Sequence, residues 1–348
     1  MNTPTNPPAP VADKIDHVST HHGIKRHDPY HWLRAENWQE VMRQPDTLAD
    51  PIRNYLEAEN DYFTVSFGDR TKELRETIYK EIRGRIKEDE TGVPSPDGPF
   101  AYYSKMAEGK QYPLLMRTSR DGDNETCILD CNKEAGEGYF GFAGAAHDPA
   151  HKLLAWGCDR NGSEYYTIRI RDLGMNQDLS DIIEKSSGGT VWAADSKSIY
   201  YVELDENHRP FRVRQHVLGT DQSSDKTIYE EEDAGFFVQV GKTLSGKFIT
   251  INAGDHQTSE IRLIDAHAGG SPILVAPRRA GHEYSVDERH GELFILTNEG
   301  GAQDFKIMTA SLEKPQLENW KELISHQPGT LILSCSVLEN HLIRLEKA

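Results

Sequence analysis

Long apolar runs are absent from this 348-residue chain, and nothing approaches the roughly 18 residues that a membrane-crossing helix needs. Cysteine is scarce. Four residues (Cys127, Cys131, Cys158 and Cys335) do not make a disulfide framework in a chain this long, so reduced thiols and a cytoplasmic location are expected. Positive charge is in deficit: 39 basic side chains face 56 acidic ones, a formal net charge of −17. That argues against nucleic acid or an anionic membrane as the main partner and leaves cationic ligands open. The start, "MNTPTNPPAPVADK", is polar and proline-rich and lacks the basic head and apolar middle of a signal peptide.

Chemical fingerprints are missing too. There is no G-x-S-x-G, the sharp elbow that exposes a hydrolase serine beside its oxyanion hole. "SSGGT" at Ser186 and "AGGSP" at Ala268 fail its spacing. Walker A and dinucleotide-binding strings are absent. Histidines cluster in "HHGIKRHDPYH" (His21, His22, His27, His31) and "HDPAH" (His147, His151), but no H-E-x-x-H or paired C-x-x-C accompanies them. Neither a metal nor a cofactor is expected.

What the chain does have is a rhythm. "VWAADSKSIYYVELDE", Val191 to Glu206, is a polar turn running into a β-rich burst. Similar phrases centre on Asp97, Asp148, Asp195, Ser245, Arg289 and Leu338, at intervals of 51, 47, 50, 44 and 49 residues. Each of the first five is followed by a half-buried strand pattern beginning at Tyr112, Tyr165, Phe211, Glu260 and Phe305. A third landmark comes later, at Thr126, Asp181, Thr227, Pro272 and Lys321. With the strand that precedes each turn the count is about four per repeat, and four short strands per period in the forties are the signature of a β-propeller, whose sheets bury their faces only by stacking on their neighbours.

The region before the repeats reads differently. Ile52, Tyr55, Leu56, Tyr62 and Phe63, then Leu74, Ile78 and Ile82, fall on helical spacing. Two amphipathic helices are expected, with Asp50-Pro51 and Asp69 near their starts. The expected fold is mainly β, with residues 1–85 as an extension and helical segment and 86–348 as the propeller. One string among the repeats stands out. "CDRNGSEYYTIRIRD", Cys158 to Asp172, sets Asp159, Arg160 and Glu164 around an Asn-Gly turn just before a strand. A hairpin turn with solvated charges is the plain reading. "DENHRPFRVRQH" fills the same slot one repeat later, and equivalent propeller turns gather on one face, where charges could meet a ligand or a second domain.

Several strings resemble oligopeptidase B, of the prolyl oligopeptidase family of serine peptidases. They include "DPYHWLRAENWQEV" from Asp28, "EIRGRIKEDE" from Glu81, "GKQYPLLMR" from Gly109, "IYEEED" from Ile228, "TSEIRLIDA" from Thr258 and "TNEGGAQDF" from Thr297. The similarity runs in order from about His22 to the end. It implies an endopeptidase that cuts short basic peptides after Lys or Arg, pairing a seven-bladed propeller with an α/β-hydrolase domain that carries a Ser-Asp-His triad. N-terminal helices would pack on that domain. The propeller is then expected to be truncated at about blade six, the triad to lie beyond residue 348, and the chain alone to be inactive. Unclosed blade edges would favour aggregation. No catalytic residue can be assigned. Glu164 matches the acidic position of the family's D-x-x-G-[SN]-[ED] loop, which looks toward the active-site cavity in relatives. Substrate or interdomain contact is therefore expected at Glu164, with Asp159 and Arg160 beside it. The competing reading is a non-enzymatic propeller that binds a peptide or protein partner.

Overall fold

The computed structural model describes residues 7–348, so the first residues of the proline-rich start lie outside the described region. The chain divides into two compact units, residues 1–134 and 135–348. The division falls one sheet later than residue 85, because the first four-stranded sheet groups with the helices.

The first unit opens with a hairpin, β1 (Val18–His21) and β2 (Ile24–His27). Its two-residue turn is His22-Gly23, with φ of 52° and 77°. Two left-handed residues in a row make the turn whose twist matches paired strands. Helix α1 (Trp38–Arg43) and helix α2 (Asp50–Phe63) follow, the latter with Pro51 in its first turn. A π turn, Thr64–Gly68, leads to α3 (Lys72–Arg83). Asp69 lies in the connection, and Thr71 is the residue that precedes α3. On the expected stripe Ile52 is buried, whereas Leu56, Phe63, Leu74, Ile78 and Ile82 are exposed. The unit ends in an antiparallel sheet of β3 (Ser95–Asp97), β4 (Phe100–Lys105), β5 (Leu114–Ser119) and β6 (Thr126–Asp130).

The second unit is a series of antiparallel meanders. A seven-stranded sheet holds β7 (Gly141–His147), β8 (Leu153–Asp159), β9 (Tyr166–Asp172), β10 (Gln177–Trp192), β11 (Ser198–Leu204), β12 (Pro210–Val217) and β13 (Lys226–Glu230) in sequential order. The next sheet comprises β14 (Phe237–Lys242), β15 (Phe248–Gly254), β16 (Ser259–Asp265) and β17 (Gly269–Ala276). Then come β18 (Tyr284–Arg289), β19 (Glu292–Thr297), β20 (Lys306–Ser311) and β21 (Lys321–Ile324), and finally the pair β22 (Leu331–Val337) and β23 (Leu342–Lys347). Every one of the six repeated phrases joins the first two strands of a repeat.

The seven-stranded sheet departs from the four separate strands expected per repeat. It is two meanders that share β10, whose first part pairs with β9 and whose last part pairs with β11. The ladder shifts between Ser186 and Thr190, where Gly188 takes φ of 85°. Glycine lets the strand turn from one sheet toward the next without ending. The backbone there is crowded: a Cβ placed on Gly157 would lie 2.5 Å from the Gly188 carbonyl oxygen.

The core of this unit lies in slabs between successive meanders. Ile168, Ile170 and Ile183 meet Ile199 and Tyr201 in the first. Tyr200, Val202 and Val213 meet Val238, Ile249 and Ile251 in the next, and Leu263 and Val275 meet Leu293 and Ile295 in the third. Each fully buried aliphatic side chain stabilises by about 1.5–3 kcal/mol. The period-2 pattern thus fixes the meanders, and stacking supplies the rest.

Candidate functional site

In an antiparallel meander the first turn and the second loop of each repeat lie at opposite ends. The loop from Asp159 to Tyr165 joins β8 to β9 and is a second loop. Asp159 is buried, and its carboxylate organises the loop from within: it accepts hydrogen bonds from the Asn161 amide (2.8 Å), the Glu164 amide (2.8 Å) and the Ser163 hydroxyl (3.4 Å). Asp159 therefore holds the loop and is not presented to a ligand. Gly162 (φ 73°) and Glu164 (φ 60°) are both left-handed. For a glutamate this conformation is uncommon and carries strain, offset here by the hydrogen bond to Asp159.

Glu164 is exposed. Among the described residues its carboxylate makes no hydrogen bond or ion pair. The obvious partner, Arg160, is turned aside. Its guanidinium donates to the Ala135 carbonyl at 3.5 Å and lies 5.5 Å from the centre of the Phe140 ring. Tyr166, the first residue of β9, has its phenol pKa raised by burial, then by Tyr139, Asp159 and Glu164.

One repeat along, the loop from Asp205 to Pro210 has the same frame. Asp205 accepts from the Asn207 amide (2.8 Å) and the Arg209 amide (3.0 Å), and His208 is left-handed (φ 62°). The two loops interlock. The Tyr165 hydroxyl donates to the Asp205 carbonyl at 2.8 Å, His208 Nε2 sits 2.7 Å from the Ser163 carbonyl oxygen, and the rings of Tyr165 and His208 lie 4.1 Å apart. The third such loop repeats the device, with the Gln257 amide donating to Asp255 at 2.8 Å. An aspartate at the end of the second strand, with an amide side chain two residues on, was legible as D-x-N, D-x-N and D-x-Q at Asp159, Asp205 and Asp255.

Arg209 differs from Arg160. It pairs with Asp205 at 3.1 Å and donates to the carbonyls of Asp233, Phe236 and Glu231. Beyond it lies a network that motif reading missed. Arg278 pairs with Glu231, its amide donates to Glu260 at 3.0 Å, and its guanidinium lies 4.0 Å from the centre of the Phe236 ring. Arg262 pairs with Glu260 at 2.5 Å. Burial alone would raise both carboxyls. Arg278 and the Tyr229 hydroxyl hold Glu231 below the ordinary range, and the Arg278 amide and Arg262 do the same for Glu260. A second polar cluster is wholly internal. His216 is fully buried between Asp225 (2.7 Å) and Asp181 (3.1 Å), and Tyr201 donates to Asp225. These networks are satisfied and offer a ligand nothing.

Exposed and unpaired, with its backbone pinned, Glu164 is thus the one member of the predicted trio free to meet something else. Residues 10–347 match the family described as "Prolyl oligopeptidase, N-terminal beta-propeller domain". The chain belongs to the prolyl oligopeptidase family. It is 32% identical to dipeptidyl aminopeptidase BI of Pseudoxanthomonas mexicana over 98% of this chain and 48% of that protein. It is 35% identical to protease 2 of Moraxella lacunata over 87% of this chain and 44% of that protein. Among solved structures, oligopeptidase B from Leishmania major superposes with a TM-score of 0.88 at 29% identity, covering 99% of this chain and 50% of that one. Oligopeptidase B from Trypanosoma brucei with covalently bound antipain gives 0.86 at 27% identity, covering 98% and 49%. The chain therefore spans about half the length of the relatives it matches. Its fold is mainly β, the propeller portion of a prolyl oligopeptidase-family peptidase preceded by helices.

Proposed function

We propose that this chain is the propeller part of a serine peptidase that cleaves short peptides after Lys or Arg, and that Glu164 attracts the cationic substrate. The supporting observation is a lone exposed carboxylate on a loop braced by Asp159 from below and by His208 and Tyr165 from the side. A charge held this way keeps its position when a ligand arrives, so little ordering entropy opposes binding. The net charge of −17 adds a long-range attraction for basic peptides. The names of the relatives, a dipeptidyl aminopeptidase, a protease and oligopeptidases, support the peptidase part of this reading. So does the exposed stripe of Leu56, Leu74, Ile78 and Ile82, which suits packing against an α/β-hydrolase domain.

The propeller's role is to admit and steer. Acyl transfer needs a nucleophile and its base together, and this sequence has no G-x-S-x-G, so the chain alone is inactive. The expected setting is the cytoplasm. The test is Glu164→Gln in the full-length protein. We expect kcat/KM to fall several-fold on peptides with two basic residues, mainly through KM, with thermal stability unchanged. Unaltered kinetics on dibasic peptides would remove Glu164 from the reading. Failure of the full-length protein to cleave any Lys- or Arg-containing peptide would remove the reading itself.

A further inference from the structure

Tyr139 stands just before β7, at the same end of the meander as the Glu164 loop. The residue is 56% exposed although its ring is large and apolar. The ring is not free in solution. It lies against two glycines: a Cβ placed on Gly141 would come 3.1 Å from the Tyr139 hydroxyl oxygen, and one placed on Gly162 would come 3.9 Å from its ring carbons. Gly162 is two residues before Glu164 in the same loop. The two glycines leave the ring a seat that any larger residue would narrow.

Arg160, the basic residue within the loop, is directed to Ala135 and Phe140. Glu164 contributes an unpaired carboxylate, Asp159 a buried one, and Tyr166 a second phenol. Gly162, against which the Tyr139 ring lies, is two residues before Glu164, so the ring is seated on the loop that carries this carboxylate; burial first, then Tyr139, Asp159 and Glu164, raise the pKa of the Tyr166 phenol. An aromatic face beside an unpaired carboxylate is the combination that receives an ammonium or guanidinium. The ring quadrupole attracts the cation, and the carboxylate supplies the charge-assisted hydrogen bond.

We propose that Tyr139 is a specificity-determining residue, its ring forming with Glu164 a corner that receives a cationic group of a peptide substrate. The proposal rests on the peptidase reading above and extends it to a second residue. The cation can come from a basic side chain or from the α-amine of the peptide's first residue, the end that an aminopeptidase would engage. Both present the same chemistry to the corner.

The experiment uses the full-length protein carrying Tyr139→Leu or Tyr139→Phe, with Tyr139 exposed enough for both variants to fold. Substrates are peptides with a second Lys besides the residue at the cleavage point, the same peptides with norleucine in its place, and N-acetylated forms of each. We expect Tyr139→Leu to lower kcat/KM about 5- to 10-fold on peptides that bear the cation, chiefly through KM, and to leave the uncharged counterparts within 2-fold. Tyr139→Phe keeps the ring and should stay within 2-fold throughout. Sensitivity that disappears with norleucine assigns the side chain, and sensitivity that disappears with acetylation assigns the α-amine. Equal losses on charged and uncharged peptides, or no loss on either, would overturn the proposal. If no basic peptide is cleaved, the peptidase reading falls, and calorimetric binding of the dipeptide Arg-Arg still decides the corner. Binding weakened by Tyr139→Leu but not by Tyr139→Phe supports it, and binding unchanged in both refutes it.

Discussion

Two loops in adjacent repeats are built on one plan and put to different ends. In both, an aspartate at the close of a strand gathers the backbone amides that follow, through Asn161 and Glu164 in one and Asn207 and Arg209 in the other. In the Asp205 loop the arginine completes the structure, satisfying its own aspartate and three backbone carbonyls. In the Asp159 loop the arginine turns outward over Phe140, and among the described residues the glutamate's carboxylate has no hydrogen-bond or ion-pair partner. A shared scaffold therefore does not imply a shared role. The difference lies in which charged group the surrounding sheets provide with acceptors.

Replacing the two arginines is the sharpest way to break this comparison. Arg209→Ala should cost about 2–4 kcal/mol, because it strands Asp205 and several carbonyls together. Arg160→Ala should stay within about 1 kcal/mol, since the side chain is exposed and makes one long hydrogen bond. Thermal unfolding of the two variants decides this, and equal losses would erase the distinction.

The next effect is the aspartate itself. Asp159→Ala leaves the Asn161 and Glu164 amides without their acceptor and should cost about 1–3 kcal/mol. It should also cancel the effect of Glu164→Gln on dibasic substrates, because Glu164 would no longer be held. A double-mutant cycle with Glu164→Gln measures that coupling.

Acid should act through the neighbouring network. Glu231 and Glu260 carry folded-state pKa values below their ordinary ones. A depressed carboxyl contributes stability that is present above its unfolded pKa, about 4.3 for glutamate, and lost as pH falls through the lower folded value. Melting temperature should drop more steeply below about pH 4.3 in the native chain than in an Arg278→Met variant, which has already lost the pairing. Parallel curves would show that the pairing does not contribute. The smallest effect should be that of Glu164→Gln on stability, within about 0.5 kcal/mol, since its carboxylate holds nothing. A larger loss would mean that Glu164 has a structural partner after all.

Much of this was legible in the sequence. The six polar turns mark the first hairpin of every repeat, because Asp, Ser, Gly and Asn favour turns wherever they fall and β-branched runs favour strands. The helices between Leu48 and Arg85 followed from apolar spacing. The merging of two meanders through β10 was not legible, since a glycine pair reads as a break unless the crowding at Gly157 is known. Nor was Tyr139, one aromatic among many until Gly141 and Gly162 are seen beneath it.

The sequence by itself determined the rhythm, the strand order and the place of Asp159, Arg160 and Glu164 in one loop, since these depend on local propensity and short-range hydrogen bonds. Only the tertiary structure decided which of the three is free. Whether a charge is paired depends on partners brought from other elements: Phe140 and Ala135 draw Arg160 aside, the loop's own amides occupy Asp159, and no group among the described residues pairs with the Glu164 carboxylate. That arrangement is a property of stacked sheets, and no spacing along the chain encodes it.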